Sequence, residues 1–481
     1  MFRTSIVAAL VALSLAAQSR QTAPPRPERP KVPLKIFAAL GTARYFGSAD
    51  LWLQNRGSDE KQIAFTWTID GGKRVDGTTF TLKTQAVEFV DFNSVMPPDV
   101  HLANVTGVEM NYRGVLPTEV TAFITFYPAD ATTFSQALDL PVSIPEDVRG
   151  STLDTTWPAP DGNERAMIAV YNTSAAPVTV DVVQRGAIET VKLGPYASHL
   201  LDRRASTFEP KAEWLRIETK TPGPNPVRAA GFVRSATDRI PQILRFHDAT
   251  DARSDDLFAT GVRAANTRLR LSLANVSDIA QSATVMLFDP AGGTALAQIP
   301  VPLRARSVEF VDVSSSLTSA IASEAIAIRI DGNGPKGSLL GNLQAIDRTT
   351  GLGFEASFSD VLQKNSGAGT YPWRLDGDYE GRISITCFGT AGLFTWSMRT
   401  QTAQFGYGIQ RIAAGSTFLI DLRPFRESEK PSSYLRRSLP KDAAVGHMHW
   451  SLGGPGTDLG LLGRLELVSL QRRVVRSISD Q

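Results

Sequence analysis

The sequence predicts an all-β protein built from four successive β-sandwich units, and three observations predict it. Short runs of β-branched and aromatic residues alternate with Gly, Pro, Asn, Asp and Ser throughout the 481 residues, and no long amphipathic helix interrupts them. The stretch Val-Glu-Phe-Val-Asp occurs at Val87–Asp91 and again at Val308–Asp312. Asn55, Asn172 and Asn275 each end a predicted strand at intervals of 117 and 103 residues, which is the length of a whole domain.

Composition places the chain among ordinary globular proteins. Hydrophobic residues make up 42% and charged residues 20%, and the formal net charge of +2 gives no basic field for binding nucleic acid. Cys387 is the single cysteine, so no disulfide can form within the chain. The units must therefore be stabilised by core packing alone.

The N-terminus is typical of a secretory signal peptide, predicted to span residues 1–19. Arg3 precedes an apolar run from Ile6 to Ala17, which is shorter than the ~20 residues of a membrane-spanning helix, and small residues follow at Ala17 and Ser19. An uncleaved membrane anchor is the alternative. Residues 20–33 are Pro-rich and are predicted to be a linker. We expect no transmembrane segment after signal removal, and a secreted, periplasmic or cell-surface location in a bacterium.

Alignment of the chain on itself divides it into four predicted β-sandwiches at 34–142, 143–248, 249–361 and 362–481. Each is predicted to open with a strand that carries an aromatic residue. A second strand follows and usually ends at Asn, but the fourth copy, which runs from Ile383 to Gly389, has lost the Asn. Next come an alternating third strand, a hairpin that ends in the Val-Glu-Phe-Val-Asp stretch, a further strand and a closing hairpin. The aromatic residues of the opening strands are Phe37, Trp157, Phe258 and Trp373.

The Val-Glu-Phe-Val-Asp stretch has two looser copies, His199–Asp202 and Phe418–Asp421, at the places a fourfold repeat requires. Alternation puts Val87 and Phe89 on one face of the strand and Glu88 and Val90 on the other, so part of the outer face, which carries Val90, is also expected to be covered. The terminal Asp is expected to be structural, because its carboxylate can accept hydrogen bonds from backbone N–H groups two or three residues later. The four residues concerned are Asp91, Asp202, Asp312 and Asp421.

These features resemble the tandem immunoglobulin-like or fibronectin-type-III-like repeats of secreted bacterial surface proteins. The strand that ends in Asn, the apolar-apolar-Asp stretch and the closing hairpin carry the resemblance over roughly residues 34–481. It implies four tandem immunoglobulin-like antiparallel β-sandwich domains, and it implies no particular activity. The Cys…Trp…Cys core of antibody domains is absent, so the antibody branch is excluded.

His447 and His449 are the most specific candidate site. On a strand they project to the same face, where they could supply two metal ligands, but a catalytic zinc needs a third protein ligand. The matching strands of the other units carry Glu109, Arg216 and Arg329 at this place, so a solvent-facing polar side is the alternative. No nucleophile elbow, His-Glu-x-x-His or Walker loop occurs, and no cofactor is predicted.

Three functions remain open on sequence alone. The first is an exported, non-enzymatic structural, adhesive or interaction protein with an unidentified protein or glycan partner at the cell surface, which we expect to be an elongated particle without a deep pocket. The second is a carbohydrate- or ligand-binding module that uses exposed aromatics. The third is a metal-dependent enzyme at His447 and His449. The aromatics considered for the second are Trp157, Trp373, Trp396 and Trp450, most of which are expected in the core.

Overall fold

The computed structural model describes most of the chain from residue 30 onward. The described part is residues 30–481 apart from 117–118, 128–134, 137, 142–149, 206–210, 222–224, 235–241, 249, 251–253, 263–265, 317–323, 348–352, 361, 363–367, 376, 378, 401–403, 424–438, 440–442, 453–458, 470–473 and 480–481. The predicted signal peptide and most of the predicted linker lie outside these residues. No helix in the described part is long and apolar enough to cross a membrane.

The described chain is dominated by β-strands, which fall into four sets that we call the first to fourth units. The first unit contains β1 (Val32–Ala39), β2 (Ser48–Asn55), β3 (Lys61–Ile69), β4 (Lys73–Leu82), β5 (Val87–Asp91), β6 (Val105–Gly114), β7 (Val120–Tyr127), β8 (Ser135–Gln136) and β9 (Leu138–Pro141). The second contains β10 (Thr152–Pro158), β11 (Arg165–Asn172), β12 (Val178–Gln184), β13 (Ala187–Leu193), β14 (Ser198–Arg204), β15 (Ala212–Thr219), β16 (Val227–Arg234) and β17 (Gln242–Leu244).

The remaining two units have the same number of principal strands. The third contains β18 (Leu257–Val262), β19 (Thr267–Asn275), β20 (Gln281–Phe288), β21 (Ala295–Leu303), β22 (Ser307–Asp312), β23 (Ala325–Gly332), β24 (Leu339–Asp347) and β25 (Gly353–Ser357). The fourth contains β26 (Ala368–Arg374), β27 (Tyr379–Cys387), β28 (Gly392–Arg399), β29 (Gln404–Ile412), β30 (Thr417–Asp421), β31 (Val445–Leu452), β32 (Leu461–Ser469) and β33 (Val474–Ser479). Short helical turns lie at Ala43–Tyr45, Asp70–Gly72, Phe92–Val95, Leu102–Asn104 and Val313–Ser316.

Each unit contains two sheets, and the strand order of each sheet is the same from one unit to the next. In the first unit, one sheet has the order β1-β6-β3-β4 and the other β5-β2-β7-β9. The second unit repeats this as β10-β15-β12-β13 and β14-β11-β16-β17, and the third and fourth units follow the same scheme. We call these the first sheet and the second sheet of a unit. The all-β, sandwich-like architecture expected from the sequence is therefore confirmed.

The structure differs from the expected topology in two details. The fourth and fifth strands do not form a hairpin: β4 pairs with β3, whereas β5 lies in the second sheet beside β2. In addition, the opening strand β1 pairs with the sixth strand, whereas the constant-type immunoglobulin order ABED places the first strand beside the second.

The core of each unit lies between its two sheets, as period-2 alternation requires. In β3 the buried positions alternate with more exposed ones, and Trp67 is completely buried among aliphatic and aromatic neighbours. Trp157 and Trp373, predicted on the opening strands, are also completely buried. In the second and fourth units the bulky side chain of the opening strand therefore lies in the core between the sheets. Phe37 is buried outside the core cluster of its unit, and Phe258 packs against Phe388 of the fourth unit.

The Asn residue that ends the second strand is buried where the chain turns out of that strand, and it makes the same contacts in three units. We call this place the Asn corner. The Asn172 Nδ2 donates to Ala176 O at 2.7 Å and to Gly194 O at 2.8 Å, while its Oδ1 accepts from the Ser174 N at 3.0 Å. Equivalent bonds are made by Asn55 and Asn275. One amide therefore ties the end of the strand to the turn that precedes the fifth strand.

Cys387 occupies this corner in the fourth unit. Its side chain is completely buried, and its Sγ lies 3.0 Å from Leu459 O and 3.3 Å from Thr390 O. The expectation that the fourth unit has lost the Asn is confirmed, and the thiol fills the place as a small buried side chain.

The terminal Asp of the fifth strand acts as expected in three of the four units. The Asp91, Asp312 and Asp421 Oδ1 atoms accept from backbone N–H groups two residues later at 2.9, 3.0 and 3.1 Å. Asp202 differs because it forms an ion pair with Arg165, whose proximity lowers the pKa of the Asp202 carboxyl. The predicted structural role therefore holds, with an ion pair replacing the turn bond in the second unit.

The buried Asn corner gives a stability prediction. Asn172→Ala should lower the free energy of unfolding by about 2–4 kcal/mol, because two carbonyl groups and one N–H lose their partner. Urea denaturation followed by circular dichroism measures the change. Asn93→Ala is the matched control, since Asn93 is exposed. Equal effects of the two substitutions would contradict the assigned role.

Candidate functional site at the contacts between units

The units contact one another through one repeated pair of faces. The first sheet of the first unit packs on the second sheet of the second unit, with β1 against β11 and β16. The same arrangement joins β10 to β19 and β24, and β18 to β27 and β32. Each contact buries residues that would face water in an isolated sandwich.

The fourth unit completes the series by packing on the first. Trp52 and Val87 of the first unit belong to the same buried cluster as Trp373 and Trp450 of the fourth, and β31 contacts β5. The Arg374 guanidinium lies 4.7 Å from the centre of the Phe89 side chain, as a cation–π contact. Strand β8 also pairs in parallel with β33, joining the second sheet of the fourth unit. The four units therefore close into a ring, and the expectation of an elongated particle is wrong.

Polar contacts at these interfaces are short and specific. The Thr68 and Tyr171 hydroxyl groups lie 3.0 Å apart between the first and second units. Gly107 packs so closely that a Cβ at this position would lie 2.7 Å from the Tyr171 side chain. Between the third and fourth units, Thr260 and Thr386 share a hydrogen bond of 2.6 Å.

The Val-Glu-Phe-Val-Asp strand lies at these contacts. Val90 packs in the core of its own unit, whereas Val87 and Phe89 face the fourth unit. The same division holds in the third unit, where Val311 packs in the unit's own core and Val308 packs against Trp214 of the second unit. Alternation separated the two faces, but their expected assignment is wrong: Val90, expected on the outer face, packs in the unit's own core, and the covered outer face carries Val87 and Phe89.

His447 and His449 lie on β31, on the face of the first sheet directed toward the first unit. Both are half-buried, and burial with Arg399 and Arg56 nearby lowers the pKa of His447 to about 4 and also lowers that of His449. The His449 Nδ1 lies 3.3 Å from the Thr370 hydroxyl. No group of three or more His, Cys, Asp and Glu side chains that could hold a metal occurs within the described residues. The metal site stays a prediction, and the two arginines disfavour a bound cation.

The alternative of a solvent-facing polar side is wrong at two of the three equivalent positions. Arg216 and Glu109 lie at unit contacts, and the Arg216 Nη2 donates to Val276 O of the third unit at 3.1 Å. Arg329 is a third exposed and pairs within its own unit with Asp256 and Asp331. Glu109 is 5% exposed and forms ion pairs with Lys35 at 2.8 Å and Arg74 at 2.6 Å. The Arg74 guanidinium in turn lies 4.3 Å from the centre of the Tyr196 side chain in the second unit. Sheet periodicity alone could not distinguish water from a neighbouring unit on that side.

The tryptophans proposed for ligand binding are in the core. Trp157, Trp373 and Trp450 are completely buried and Trp396 is 2% exposed, so these side chains do not form a stacking platform. The expectation that most of them are core residues is confirmed.

A cleft lies between the second and third units. Its volume is about 690 Å³, and it lies where β15 meets β22. The lining combines cationic side chains with an apolar floor, and consists of Arg185, Lys211, Trp214, Arg304, Arg306, Ser307, Val308, Glu309 and Phe310. The cleft was not expected from the sequence, which predicted a particle without a deep pocket. The sequence carries one signal of this cleft, which is the length of the turn after the third strand. This turn is only Arg185-Gly186 in the second unit, whereas the equivalent turns of the first and third units are longer and contain Gly-Gly.

Comparison with known protein families and with curated protein sequences gives no relationship: no family model matches the chain, and no curated sequence matches it significantly.

The lowered histidine pKa gives a pH prediction. The unfolded chain takes up a proton at His447 near pH 6.5 and the folded protein only near pH 4, so stability is lost as the pH falls between these values. His447→Gln should remove up to about 2 kcal/mol of that loss. Urea denaturation at pH 7, 6, 5 and 4 measures it. His101→Gln, at an exposed residue, is the control. A variant with the same pH slope as the original protein would refute the burial argument.

Proposed function

We propose that the protein is an exported, non-enzymatic interaction scaffold made of four immunoglobulin-like β-sandwich domains. The contact of the fourth unit with the first carries this proposal. A chain of domains joined by linkers alone would leave its two end faces exposed, whereas here every unit has a neighbour on both sides. A repeated heterologous contact of this kind forms a ring when the rotation closes.

Fixed units suit a binding function. Segments on different units are held in constant relative positions, so a partner that contacts two units incurs no ordering cost for the scaffold. The cleft between the second and third units is such a two-unit surface, because its lining comes from both. The proposed partner is a protein at the surface of the cell.

The two other functions have weaker support. A glycan-binding module would need exposed aromatics, and the four tryptophans considered for it are buried. A metal-dependent enzyme at His447 and His449 would need a third ligand, and the charged groups that lower the pKa values of these histidines include Arg56 and Arg399.

Small-angle scattering of the purified protein tests the ring. A compact ring of this length should have a radius of gyration of about 22 Å, against roughly 40 Å for four such domains in a row with centres ~35 Å apart. We expect the smaller value at 0.1 M and at 0.5 M salt, because the contact between the first and fourth units is largely apolar. A value near that of the row would overturn the ring.

A disulfide across the closing strand pair gives a second test. Ser135 and Val474 are partners in the parallel pair of β8 and β33. Neighbouring strands lie about 4.8 Å apart, within the Cα separation that a disulfide bridges. The variant Ser135→Cys/Val474→Cys should therefore oxidise to a species of faster mobility on a non-reducing denaturing gel. Ser135→Cys/Ser479→Cys is the control, since Ser479 lies at the other end of β33. Absence of the faster species in the first variant would contradict closure.

A further inference from the structure

The cleft between the second and third units lies beside an unpaired sheet edge. Strand β22 is the end strand of the order β22-β19-β24-β25, and its outer side pairs with no other strand among the described residues. Such an edge presents backbone N–H and C=O groups that a further strand could pair with.

The second unit extends beyond this edge. Its first sheet places β10 against β24 and β19, and β15 against β22. Because β12 and β13 follow β15 in the sheet order, they lie past β22 and overhang its edge. Arg185, at the turn between β12 and β13, accordingly lines the cleft.

The equivalent space is filled in two other contacts. The hairpin turn of the third unit reaches the loop before β30, where the Thr417 N donates to Pro290 O at 2.8 Å. The turn of the first unit reaches the loop before β14, where a Cβ on Gly72 would lie 2.7 Å from Pro195 O.

The second unit has a shorter turn at this place. Arg185 and Gly186 both have positive φ values, 49° and 79°, as in a two-residue type I′ turn. The short turn leaves the cleft open above the edge of β22.

The chemistry of the lining indicates what fits beside the edge. Four cationic side chains and one carboxylate line the cleft, and the floor contains Trp214, Val308 and Phe310. Arg185 pairs with Glu213, and Arg306 pairs with Asp278. Arg304 forms no ion pair among the described residues, so the cleft keeps at least this cation for a ligand. An anionic ligand with apolar groups therefore matches both the rim and the floor.

We propose that this cleft binds an extended acidic peptide segment of a partner protein, which adds as a strand to the free edge of β22. Backbone hydrogen bonds to β22 would hold the segment, alternate apolar side chains would contact Phe310 and Val308, and acidic side chains would pair with Lys211 and Arg304. The chain's own residues 20–33 do not suit the site, because they are rich in proline and contain more basic than acidic residues. This inference deepens the proposed interaction function.

A display library of random ten-residue linear peptides, selected on the full protein, tests the proposal. We expect the enriched peptides to alternate acidic and apolar residues. Synthetic versions should bind with micromolar Kd, measured by fluorescence anisotropy. Methylation of alternate backbone nitrogens in the same peptide should abolish binding, because strand addition needs those N–H groups. Unchanged binding of the methylated peptide would overturn strand addition.

Variants of the protein locate the binding. Lys211→Glu/Arg304→Glu should weaken binding by about ten-fold or more, because two charges at the rim are reversed. Lys192→Glu/Arg411→Glu is the matched control: one Lys and one Arg, both exposed and outside the lining of the cleft. Replacing Arg185-Gly186 with the third unit's turn, Asp-Pro-Ala-Gly-Gly, should close the cleft and abolish binding.

Other outcomes would reject the peptide proposal. They are enriched peptides without acidic bias, equal weakening by the control variant, and binding of sulfated dextran at the cleft without any peptide. Failure here would leave the scaffold proposal intact, since scattering and the β8–β33 disulfide test that proposal separately.

Discussion

The contact between the first sheet of one unit and the second sheet of the next is the constraint on which the rest of the structure depends. Each unit has an inner core and two further covered faces. Trp52 is 1% exposed and Trp214 is 9% exposed, although both lie at unit contacts and outside the cores of their own units. Burial of apolar surface stabilises by roughly 25 cal/mol per Å². A unit separated from its neighbours would lose this stabilisation on both sides, so the four units are expected to support one another.

The local sequence pattern was sufficient to predict where the strands lie and which residues hold their ends. Alternation located the strands, and the recurring Asn identified the corner, because a buried amide at a strand end satisfies several backbone groups at once. The local pattern did not predict the sheet to which a strand belongs. The fourth and fifth strands were expected to form a hairpin, but the chain crosses between the sheets at this turn. Periodicity carries no information about that choice, since both placements bury the same alternate residues.

The candidate sites also depend on contacts that the local sequence pattern does not predict, here between units that are distant in sequence. His447 and His449 were correctly placed on one face of a strand, yet the surroundings of that face come from another unit that is distant in sequence. The cleft depends on a difference in length between equivalent turns, which no single unit reveals. Arg304 and Arg306 lie in the turn before the fifth strand, at the same backbone positions as Lys83 and Gln85 in the first unit, and they line a cleft because the opposite turn is short.

The repeated Val-Glu-Phe-Val-Asp stretch can now be explained by two separate requirements. One position packs in the core of the unit itself, and it is apolar in all four units: Val90, Leu201, Val311 and Ile420.

The positions that face the preceding unit are less uniform, because each meets a different surface. Val87 is replaced by Ser198 in the second unit, where Gly41 approaches closely. Phe89 and Phe310 are identical residues at equivalent places, but Arg374 covers the first and the cleft borders the second. Identity of sequence on this strand therefore does not imply identity of role. The role is decided by the face that the neighbouring unit presents to it.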